Sequence, residues 1–184
     1  KKNDIFLSLR GGAKYLTSDQ ANLAKHIFLD SSENLDLPNV SKIKYLNSFY
    51  LKWIDEYFEI DHSYFNNLFI TGTNGKTTAL SFLSQILENN DTEHATSGTL
   101  GTFINEQKIY SNELTTEEPV FIRNLMSKCF RSNVKNIIFE ASSIGVDKNR
   151  LQGLKINHAI YTNISRDHLD YHGSFQNYIN AKFK

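Results

Sequence analysis

Residues Gly72 to Thr78 read Gly-Thr-Asn-Gly-Lys-Thr-Thr and follow a short apolar run. A glycine-bearing turn between an apolar run and an amphipathic one is the setting of a phosphate-binding loop. Gly72 and Gly75 lack side chains, so backbone N–H groups can close around phosphate oxygens. Lys76 supplies a mobile positive charge, and the hydroxyl of Thr77 can bind magnesium. Ile70 stands where the full Walker A motif has its first glycine, and an ordinary turn that contains a lysine is the alternative.

A second chemical signal is Glu140, which follows three consecutive apolar residues. A carboxylate at that position is costly unless it meets a cation or hydrogen-bond donors, and magnesium near a nucleotide is a natural partner. The alternative is a strand-end glutamate exposed to solvent. Ser142 and Arg150 follow, and a Ser/Arg pair suits an anionic substrate, although solvent-exposed polar residues explain them equally well.

Two further candidates lie near the end of the chain. His168 shares one short segment, 165–173, with a second histidine, two aspartates and an arginine. A histidine there can bind a metal or hydrogen-bond a phosphate. Lys182 continues the apolar stripe of the last helix, because it follows Tyr178 and Ile179 by four and three residues. It either reaches back to the protein surface or points inward to a site.

These residues require an α/β framework to bring them together. Apolar runs alternate with helical patterns, which predicts a mostly parallel sheet with helices on both faces. We expect strands at 67–71, 135–140 and 158–163, a hairpin through 96–102 and 109–110, and helices at 77–88, 118–131 and from 174 onward. In the helix at 77–88 the apolar positions are Ala79, Leu80, Leu83, Ile86 and Leu87. Ligands of such sheets lie at the carboxyl ends of the strands, so the candidates above converge on one edge.

The first 65 residues read as a small α/β domain, and residues 66–184 as a central domain. We expect strands at 4–9, 26–30 and 42–46, weak helix at 14–25, and a helix at 48–58 with Trp53 and Tyr57 on its apolar side. Arg10 to Gly12 read as a turn, although the pair Gly11–Gly12 can also contact a ligand. The ends of the sequence suggest a piece of a longer protein.

The composition excludes several classes of protein. The 184 residues carry 20 basic and 20 acidic side chains, so no charge excess points to nucleic acid. No apolar run is long enough to span a membrane, and no signal peptide is visible. The single cysteine, Cys129, excludes a disulfide framework and is expected to be a small core residue. A cytoplasmic, monomeric enzyme that acts on small molecules is the expectation.

Three segments together resemble the Mur ligase family, and the resemblance covers about residues 66–184. They are 72–78, Glu140-Ala141-Ser142-Ser143, and the long motif 162–173 (Thr-Asn-Ile-Ser-Arg-Asp-His-Leu-Asp-Tyr-His-Gly). Thr115-Thr116 and the closing Tyr178…Ala181-Lys182 also match, and the closest type is UDP-N-acetylmuramoyl-tripeptide synthetase of peptidoglycan synthesis. The sequence departs from that type at Leu114, where asparagine is usual, and at Ile144, where histidine is usual. Asp4 to Gly12 resembles the start of a uridine-binding domain.

The resemblance implies a role for each candidate residue. ATP would bind to Gly72, Thr73, Asn74, Gly75, Lys76, Thr77 and Thr78, with magnesium on Thr77. Glu140 and His168 would serve a second magnesium, and Lys182 would be carbamylated so that it too can hold magnesium. The UDP-MurNAc-dipeptide would contact Thr115, Thr116, Ser142 and Arg150. Lys76, Glu140, His168 and Lys182 would be the catalytic set.

The implied reaction is ATP-dependent amide formation in the synthesis of the cell wall, which supports cell shape and division. The D-Glu carboxylate of UDP-MurNAc-L-Ala-D-Glu would form an acyl phosphate, and a diamino acid would displace the phosphate. The family's C-terminal domain, which carries the amino-acid pocket, has no counterpart here, so this chain alone is expected not to complete ligation. A cyanophycin synthetase, a folylpolyglutamate synthase and a catalytically silent nucleotide-binding fragment are the alternatives. The second of these usually has Gly-Lys-Gly where this chain has Lys76-Thr77-Thr78.

Overall fold

A computed structural model describes residues 4–9 and 12–184. The chain divides into two compact units between Ile54 and Asp55, and each unit is described by itself. The division lies before the expected boundary at residues 65 and 66, because Ile60, Tyr64 and Phe65 pack into the core of the second unit. Of the expected turn at Arg10 to Gly12, the first two residues lie outside the described part of the chain.

The first unit contains a three-stranded parallel sheet in the order β1-β2-β3. One core cluster of this unit is formed by Ala21, Ile27 and Leu29, with partly buried apolar side chains around them. The third strand begins and ends earlier than the sequence pattern predicts. The elements are β1 (Ile5–Ser8), a 3₁₀ helix (Gly12–Tyr15), α1 (Ser18–Leu23), β2 (His26–Asp30) and β3 (Val40–Ile43).

Helix α2 (Leu46–Tyr57) was expected, but its buried face was assigned wrongly. Trp53 and Tyr57 are 50% and 70% exposed. The buried residues are instead Leu46, Tyr50, Leu51 and Ile54, which recur at the three- and four-residue spacing of one helix face. The prediction rested on the size of the aromatic side chains, whereas the spacing of these four residues defines the packed stripe.

The second unit is built on a six-stranded sheet in the order β7-β6-β5-β8-β4-β9. β5, β8, β4 and β9 run parallel to one another, whereas β5, β6 and β7 form the expected antiparallel hairpins. The strands are β4 (Asn66–Thr71), β5 (His94–Gly98), β6 (Gly101–Ile104), β7 (Gln107–Tyr110), β8 (Asn136–Glu140) and β9 (His158–Tyr161).

Helices cover both faces of this sheet, which confirms the predicted fold class. On one face Leu80 of α3 packs against Ile70 and Ile138; on the other, α4 packs against the side of the sheet that carries Phe69 and Phe139. No helix among the described residues is long and apolar enough to cross a membrane. The helices are α3 (Lys76–Glu88), α4 (Pro119–Arg131), α5 (Ser143–Asp147), α6 (Leu169–His172) and α7 (Phe175–Lys182).

Two single-residue expectations about these helices had different outcomes. Cys129 of α4 is fully buried in the core of the second unit, and burial raises the pKa of its thiol to about 12. It is therefore a small core residue, as predicted. Ile86 of α3 is 57% exposed, so it does not belong to the packed stripe with Leu80 and Leu83.

Asparagine side chains gather where the parallel strands begin, and we call Asn66, Asn67, Asn136 and Asn157 the amide end. Asn66 Nδ2 donates to Oδ1 of Asn136 at 3.1 Å, and Asn136 Nδ2 donates to the carbonyl of Glu93. Asn157 Oδ1 accepts the backbone N–H of Asn67, whose own Nδ2 donates to the carbonyl of Lys155 at 3.0 Å. These neutral amides satisfy backbone groups that the strand ladders leave unpaired.

Candidate active site at the carboxyl ends of the strands

The glycine-bearing loop connects the end of β4 to the start of α3. Gly75 is the N-cap of α3 with φ of +81°, and Gly72 has φ of +146°, both backbone conformations that favour glycine. A side chain at Gly72 would also collide with the Thr162 hydroxyl and the backbone of Asn163. The first amides of a thirteen-residue helix face this loop, an arrangement that attracts anions.

Two lysine side chains meet at one carbonyl oxygen of this loop. Lys76 Nζ donates to the carbonyls of Gly72 and Thr73, each at 2.9 Å. Lys182 Nζ, from α7, donates to the same Gly72 carbonyl at 2.8 Å. Lys182 is 9% exposed, so it points inward as one of the two sequence interpretations proposed. The exposed Lys184 lies off this stripe.

The two amines have lowered pKa values for the same main reason. Burial lowers the pKa of Lys76, and the charges of Glu140 and Asp167 oppose that shift. Burial, and then the charge of Lys76, lower the pKa of Lys182 to about 8, while Asp167 acts in the opposite direction. A substantial share of Lys182 is therefore a neutral, nucleophilic amine near pH 8.

Glu140 is 1% exposed, so its carboxylate is buried rather than solvated. Its Oε2 accepts the Thr77 hydroxyl at 3.0 Å and the Thr99 hydroxyl at 3.2 Å, and its Oε1 accepts the Thr99 backbone N–H at 3.0 Å. A side chain at Gly98 would overlap the carboxyl group, so the end of β5 is shaped around it. Hydrogen bonds from three donors make burial of the charge tolerable.

The segment after β9 clamps the loop from the other side. Thr73 N–H donates to the Asn163 carbonyl at 2.9 Å, and Asn74 N–H donates to Asn163 Oδ1 at 3.1 Å. The Asn74 carbonyl accepts from Asn163 Nδ2 at 2.9 Å and from the Thr162 hydroxyl at 2.7 Å. These contacts fix the loop backbone, while Asn74 itself and Thr78 stay exposed.

The acidic and histidine-rich segment continues from this clamp. His168 is the N-cap of α6, with φ of +50° and an N–H that donates to Asp167 Oδ1, and its side chain is 47% exposed. Arg166 is exposed, whereas Asp167 is half-buried. In the described part of the chain, no group of three or more His, Cys, Asp or Glu side chains is arranged to hold a metal ion. The expected convergence of Glu140 and His168 on a metal therefore stays a prediction.

The expected substrate residues form one hydrogen-bonded network beside Glu140. Thr115 Oγ1 lies 3.2 Å from Thr99 Oγ1, and the Thr116 hydroxyl donates to the Glu140 carbonyl at 2.8 Å. Thr116 Oγ1 also accepts the Ser142 N–H and contacts the Ser142 hydroxyl at 3.0 Å. Arg150 is 8% exposed; its Nη1 donates to the Thr116 carbonyl and its Nε to Glu118. Thr115 and Ser142 are thus the more accessible members.

Comparison with known proteins identifies the family of this chain. A model of the Mur ligase middle domain matches residues 70–184, which include every residue of the site described above. The chain belongs to the Mur ligase family. The match begins inside β4 and runs through α7. It therefore covers the end of β4, the other five strands of the sheet and the helices on both faces of the sheet.

Individual Mur ligases give the same result. The chain is 34% identical over 190 residues to UDP-N-acetylmuramoyl-L-alanyl-D-glutamate--2,6-diaminopimelate ligase of Clostridium tetani, covering 99% of this chain and 39% of that protein. The Bradyrhizobium diazoefficiens ligase of the same name is 38% identical over 115 residues, which are 62% of this chain and 24% of that one. A solved structure of a ligase with this name superimposes with a TM-score of 0.75 at 25% identity, over 99% of this chain and 38% of its own. The chain thus spans well under half the length of these Mur ligases.

Two residues of this site make contacts that the sequence did not predict. Thr99 supplies a backbone N–H and a hydroxyl to Glu140, and Tyr178 places its hydroxyl 2.7 Å from Thr73 Oγ1. Both had a usable signal. Thr99 follows the end of a parallel strand adjacent to Glu140, and Tyr178 lies one helical turn before Lys182 on the same stripe.

Proposed function

We propose that this chain is the ATP-binding part of a Mur-type acid–amino-acid ligase that acts in peptidoglycan synthesis. The observation that carries the proposal is the convergence of Lys76, Thr77, Glu140 and Lys182 around the loop between β4 and α3. A helix N-terminus, two amines and a buried carboxylate at one sheet edge suit an anionic, metal-bound ligand. The family and the names of the relatives support the same assignment.

The phosphates of ATP are assigned to the loop and the first turn of α3. Backbone N–H groups there would bind phosphate oxygens, and Lys76 would neutralise charge that develops on the transferred phosphoryl group. The residues of this ATP site are Gly72, Thr73, Asn74, Gly75, Lys76, Thr77 and Thr78. In this assignment the loop binds and orients ATP and performs no covalent chemistry itself.

Magnesium is assigned to the pair formed by Thr77 and Glu140. Their oxygens lie 3.0 Å apart beside Lys76, and hydroxyl and carboxylate oxygens are donors that magnesium prefers, with water and phosphate completing its shell. When bound, the ion would neutralise phosphate charge and orient the γ-phosphate. Glu140 is also proposed to serve a second magnesium, together with His168 and the carbamylated Lys182. Lys76, Glu140, His168 and Lys182 together are the proposed catalytic residues.

Lys182 is proposed to be carbamylated. Its pKa of about 8 leaves a neutral amine whose nitrogen can attack carbon dioxide, forming an N–C bond and releasing a proton to water. The product is an anion in place of a cation next to Lys76. Carbon-13 NMR after addition of ¹³C-labelled bicarbonate tests this directly. A carbamate signal that is present in the wild type and lost in Lys182→Met supports the modification, whereas equal spectra contradict it.

The substrate is proposed to be UDP-MurNAc-L-Ala-D-Glu, contacted by Thr115, Thr116, Ser142 and Arg150. A carboxylate oxygen of D-Glu would attack the γ-phosphorus of ATP, the bond to the β-phosphate oxygen would break, and ADP would leave. The amine of a diamino acid would then attack the acyl carbon and expel phosphate. The names of the relatives favour 2,6-diaminopimelate as that amine, over L-lysine.

The wider assignments follow from the same proposal. Residues 1–65 would form a uridine-binding type of N-terminal domain and residues 66–184 the central ATP-binding domain. The chain would work as a monomer in the cytoplasm, where ATP is available, on small-molecule substrates rather than on nucleic acid or membranes. The full reaction belongs to the longer proteins that this chain resembles, so binding rather than turnover is the appropriate test.

The test is calorimetric binding of Mg-ATP to the 184-residue chain, with and without UDP-MurNAc-L-Ala-D-Glu. We expect the wild type to bind both ligands and Lys76→Ala to lose most of its affinity for Mg-ATP only. Lys135→Ala is the matched control, because Lys135 is an exposed lysine of the same unit at the start of β8.

The outcomes separate the alternatives. Mg-ATP binding without precursor binding would favour a ligase of the cyanophycin or folylpolyglutamate type. If the folded wild type binds neither ligand, the chain is a silent fragment and the proposal is wrong.

A further inference from the structure

Tyr178 is a fully buried tyrosine whose side chain contacts three parts of the site. It has no exposed surface, and its hydroxyl lies 2.7 Å from Thr73 Oγ1 in the glycine-bearing loop. Its ring centroid lies 4.9 Å from Lys182 Nζ and 5.5 Å from the ring of His172. The position is one turn before Lys182 on α7, so both side chains leave the same helix face.

The hydrogen bonds around Thr73 favour the Tyr178 hydroxyl as the donor in the bond between the two side chains. Ser165 N–H donates to Thr73 Oγ1 at 2.9 Å, and the Thr73 hydroxyl donates to the Ser165 carbonyl at 3.2 Å. The Tyr178 hydroxyl is then the donor to Thr73 Oγ1. With this assignment Thr73 donates once and accepts twice, which fills the capacity of a hydroxyl group.

The Thr73 backbone is part of the proposed phosphate site. Its carbonyl accepts from Lys76, and the preceding Gly72 carbonyl accepts from both Lys76 and Lys182. Movement of Thr73 would therefore displace the oxygens that hold both amines. In the unmodified lysine the cation–π contact adds a second constraint, because the face of the Tyr178 ring attracts the Lys182 ammonium before any carbamylation.

We propose that Tyr178 is a positioning residue that fixes the glycine-bearing loop through Thr73 and holds the Lys182 amine against its ring. The inference rests on the proposed ATP site and adds a residue to it. Tyr178 acts through Thr73 and Lys182 and does not itself touch the reacting groups. Its hydroxyl and its ring therefore perform separable tasks, which substitutions can distinguish.

The experiment measures Mg-ATP binding by calorimetry on the whole chain carrying Tyr178→Phe, Thr73→Val, or both. Tyr178→Phe loses one buried hydrogen bond, which should weaken binding by about 3- to 10-fold. Thr73→Val loses that bond and also the two bonds to Ser165, so it should bind at least as weakly. The double variant should bind about as weakly as Thr73→Val alone, because the bond from Tyr178 is already absent there. Thr73→Ser retains the hydroxyl and should bind within about twofold of the wild type.

A readout that general destabilisation would not reproduce is the ring-current shift of the Lys182 ε-methylene signal, followed by NMR with ¹³C-labelled lysine in bicarbonate-free buffer. Tyr178→Phe keeps the ring, so that shift should stay unchanged while affinity falls. Tyr178→Leu removes the ring and should abolish the shift as well. Tyr64→Phe is the matched control. The Tyr64 hydroxyl donates to Asn133 Oδ1 over a distance of 3.0 Å, and this bond lies outside the site.

The failures are distinguishable. If the wild type binds no nucleotide, the proposed function and this inference both fall. If the wild type binds and folded Tyr178→Phe binds equally well, only this inference is wrong. If Tyr178→Phe does not fold, Thr73→Val carries the test from the other side of the same bond, and unchanged affinity in that variant overturns the inference.

Discussion

The two ends of the parallel strands in the second unit carry different kinds of polar side chain. Where the strands begin, the amide end uses neutral asparagines, and each bond described there joins an amide to a backbone group or to another amide. Where they end, Lys76, Glu140 and Lys182 bring formal charges into a largely buried space. Both ends place polar side chains in hydrogen bonds, although the buried Oδ1 of Asn67 has no partner among the described residues. Only the second end concentrates charge.

This contrast separates polar side chains that stabilise the fold from polar side chains that serve a ligand. A buried amide with its hydrogen bonds made contributes to stability at modest cost, whereas a buried charge is costly unless it is paired. Two amines whose pKa values are lowered by burial therefore reduce the free energy of unfolding. We expect substitutions at the charged end to affect ligand binding, and substitutions at the amide end to affect stability.

The largest expected effect is at Lys76. Lys76→Met should weaken Mg-ATP binding by about 10- to 100-fold, which corresponds to loss of a charged hydrogen bond. The free energy of unfolding in urea should not fall, because a partly desolvated amine is removed. Lys135→Met at the opposite end is the control. A Lys76→Met protein that is clearly less stable than the wild type would break the contrast between the two ends.

The next effect is at Asn67, which is completely buried at the amide end. Asn67→Ala leaves the Lys155 carbonyl without its donor and should lower the free energy of unfolding by about 1–3 kcal/mol. Mg-ATP affinity should stay the same. Urea denaturation and calorimetry on the same preparation check both parts, and weakened nucleotide binding in a folded variant would count against the separation.

A smaller effect concerns pH and Lys182. Its folded pKa of about 8 lies below the ordinary lysine value of 10.5, so between those values the unfolded chain binds more protons than the folded one. Stability contributed by this group therefore rises with pH above about 8, and the cost is fully present below it. In bicarbonate-free buffer, where the amine is not carbamylated, urea unfolding from pH 7.5 to 9.5 should show a steeper upward slope in the wild type than in Lys182→Met. Parallel slopes would contradict the lowered pKa.

The smallest effect is at the exposed amide pair. Asn66→Ser removes the bond to Asn136 and should change stability by no more than about 0.5 kcal/mol, as is usual for surface positions. Comparison with Asn67→Ala measures how much burial amplifies a similar change. Equal losses at the two positions would show that burial is not the deciding factor at this end.

The sequence predicted the fold class and most elements of the second unit because their signals are local. The loop at Gly72–Thr78, the apolar strand before Glu140 and the stripe that ends at Lys182 can each be recognised within about a dozen residues. The errors came from competition that local patterns do not resolve. Large aromatic residues at Trp53 and Tyr57 suggested a buried face, but a different face of α2, which carries Leu46, Tyr50, Leu51 and Ile54, is packed instead.

The remaining parts of the site could not be derived locally, because they depend on contacts between distant segments. The hydroxyl of Tyr178 meets a residue 105 positions earlier, and Thr99 meets Glu140 across 41 positions. Strand order decides the second contact, since β5, which ends just before Thr99, lies beside β8, which ends at Glu140. The first depends on how the helix α7 packs against the loop after β4. A parallel sheet predicts that such residues share an edge, but not which of them touch.

Glu140 has one further consequence for the site. Thr99 donates to both carboxylate oxygens, through its N–H to Oε1 and through its hydroxyl to Oε2. Thr77 donates only to Oε2. If the Thr77 hydroxyl turns towards another oxygen, the carboxylate keeps its orientation through Thr99. The group is thus preorganised: little reorganisation energy is spent when its surroundings change, which is the condition under which fixed charges stabilise a reacting phosphate most effectively.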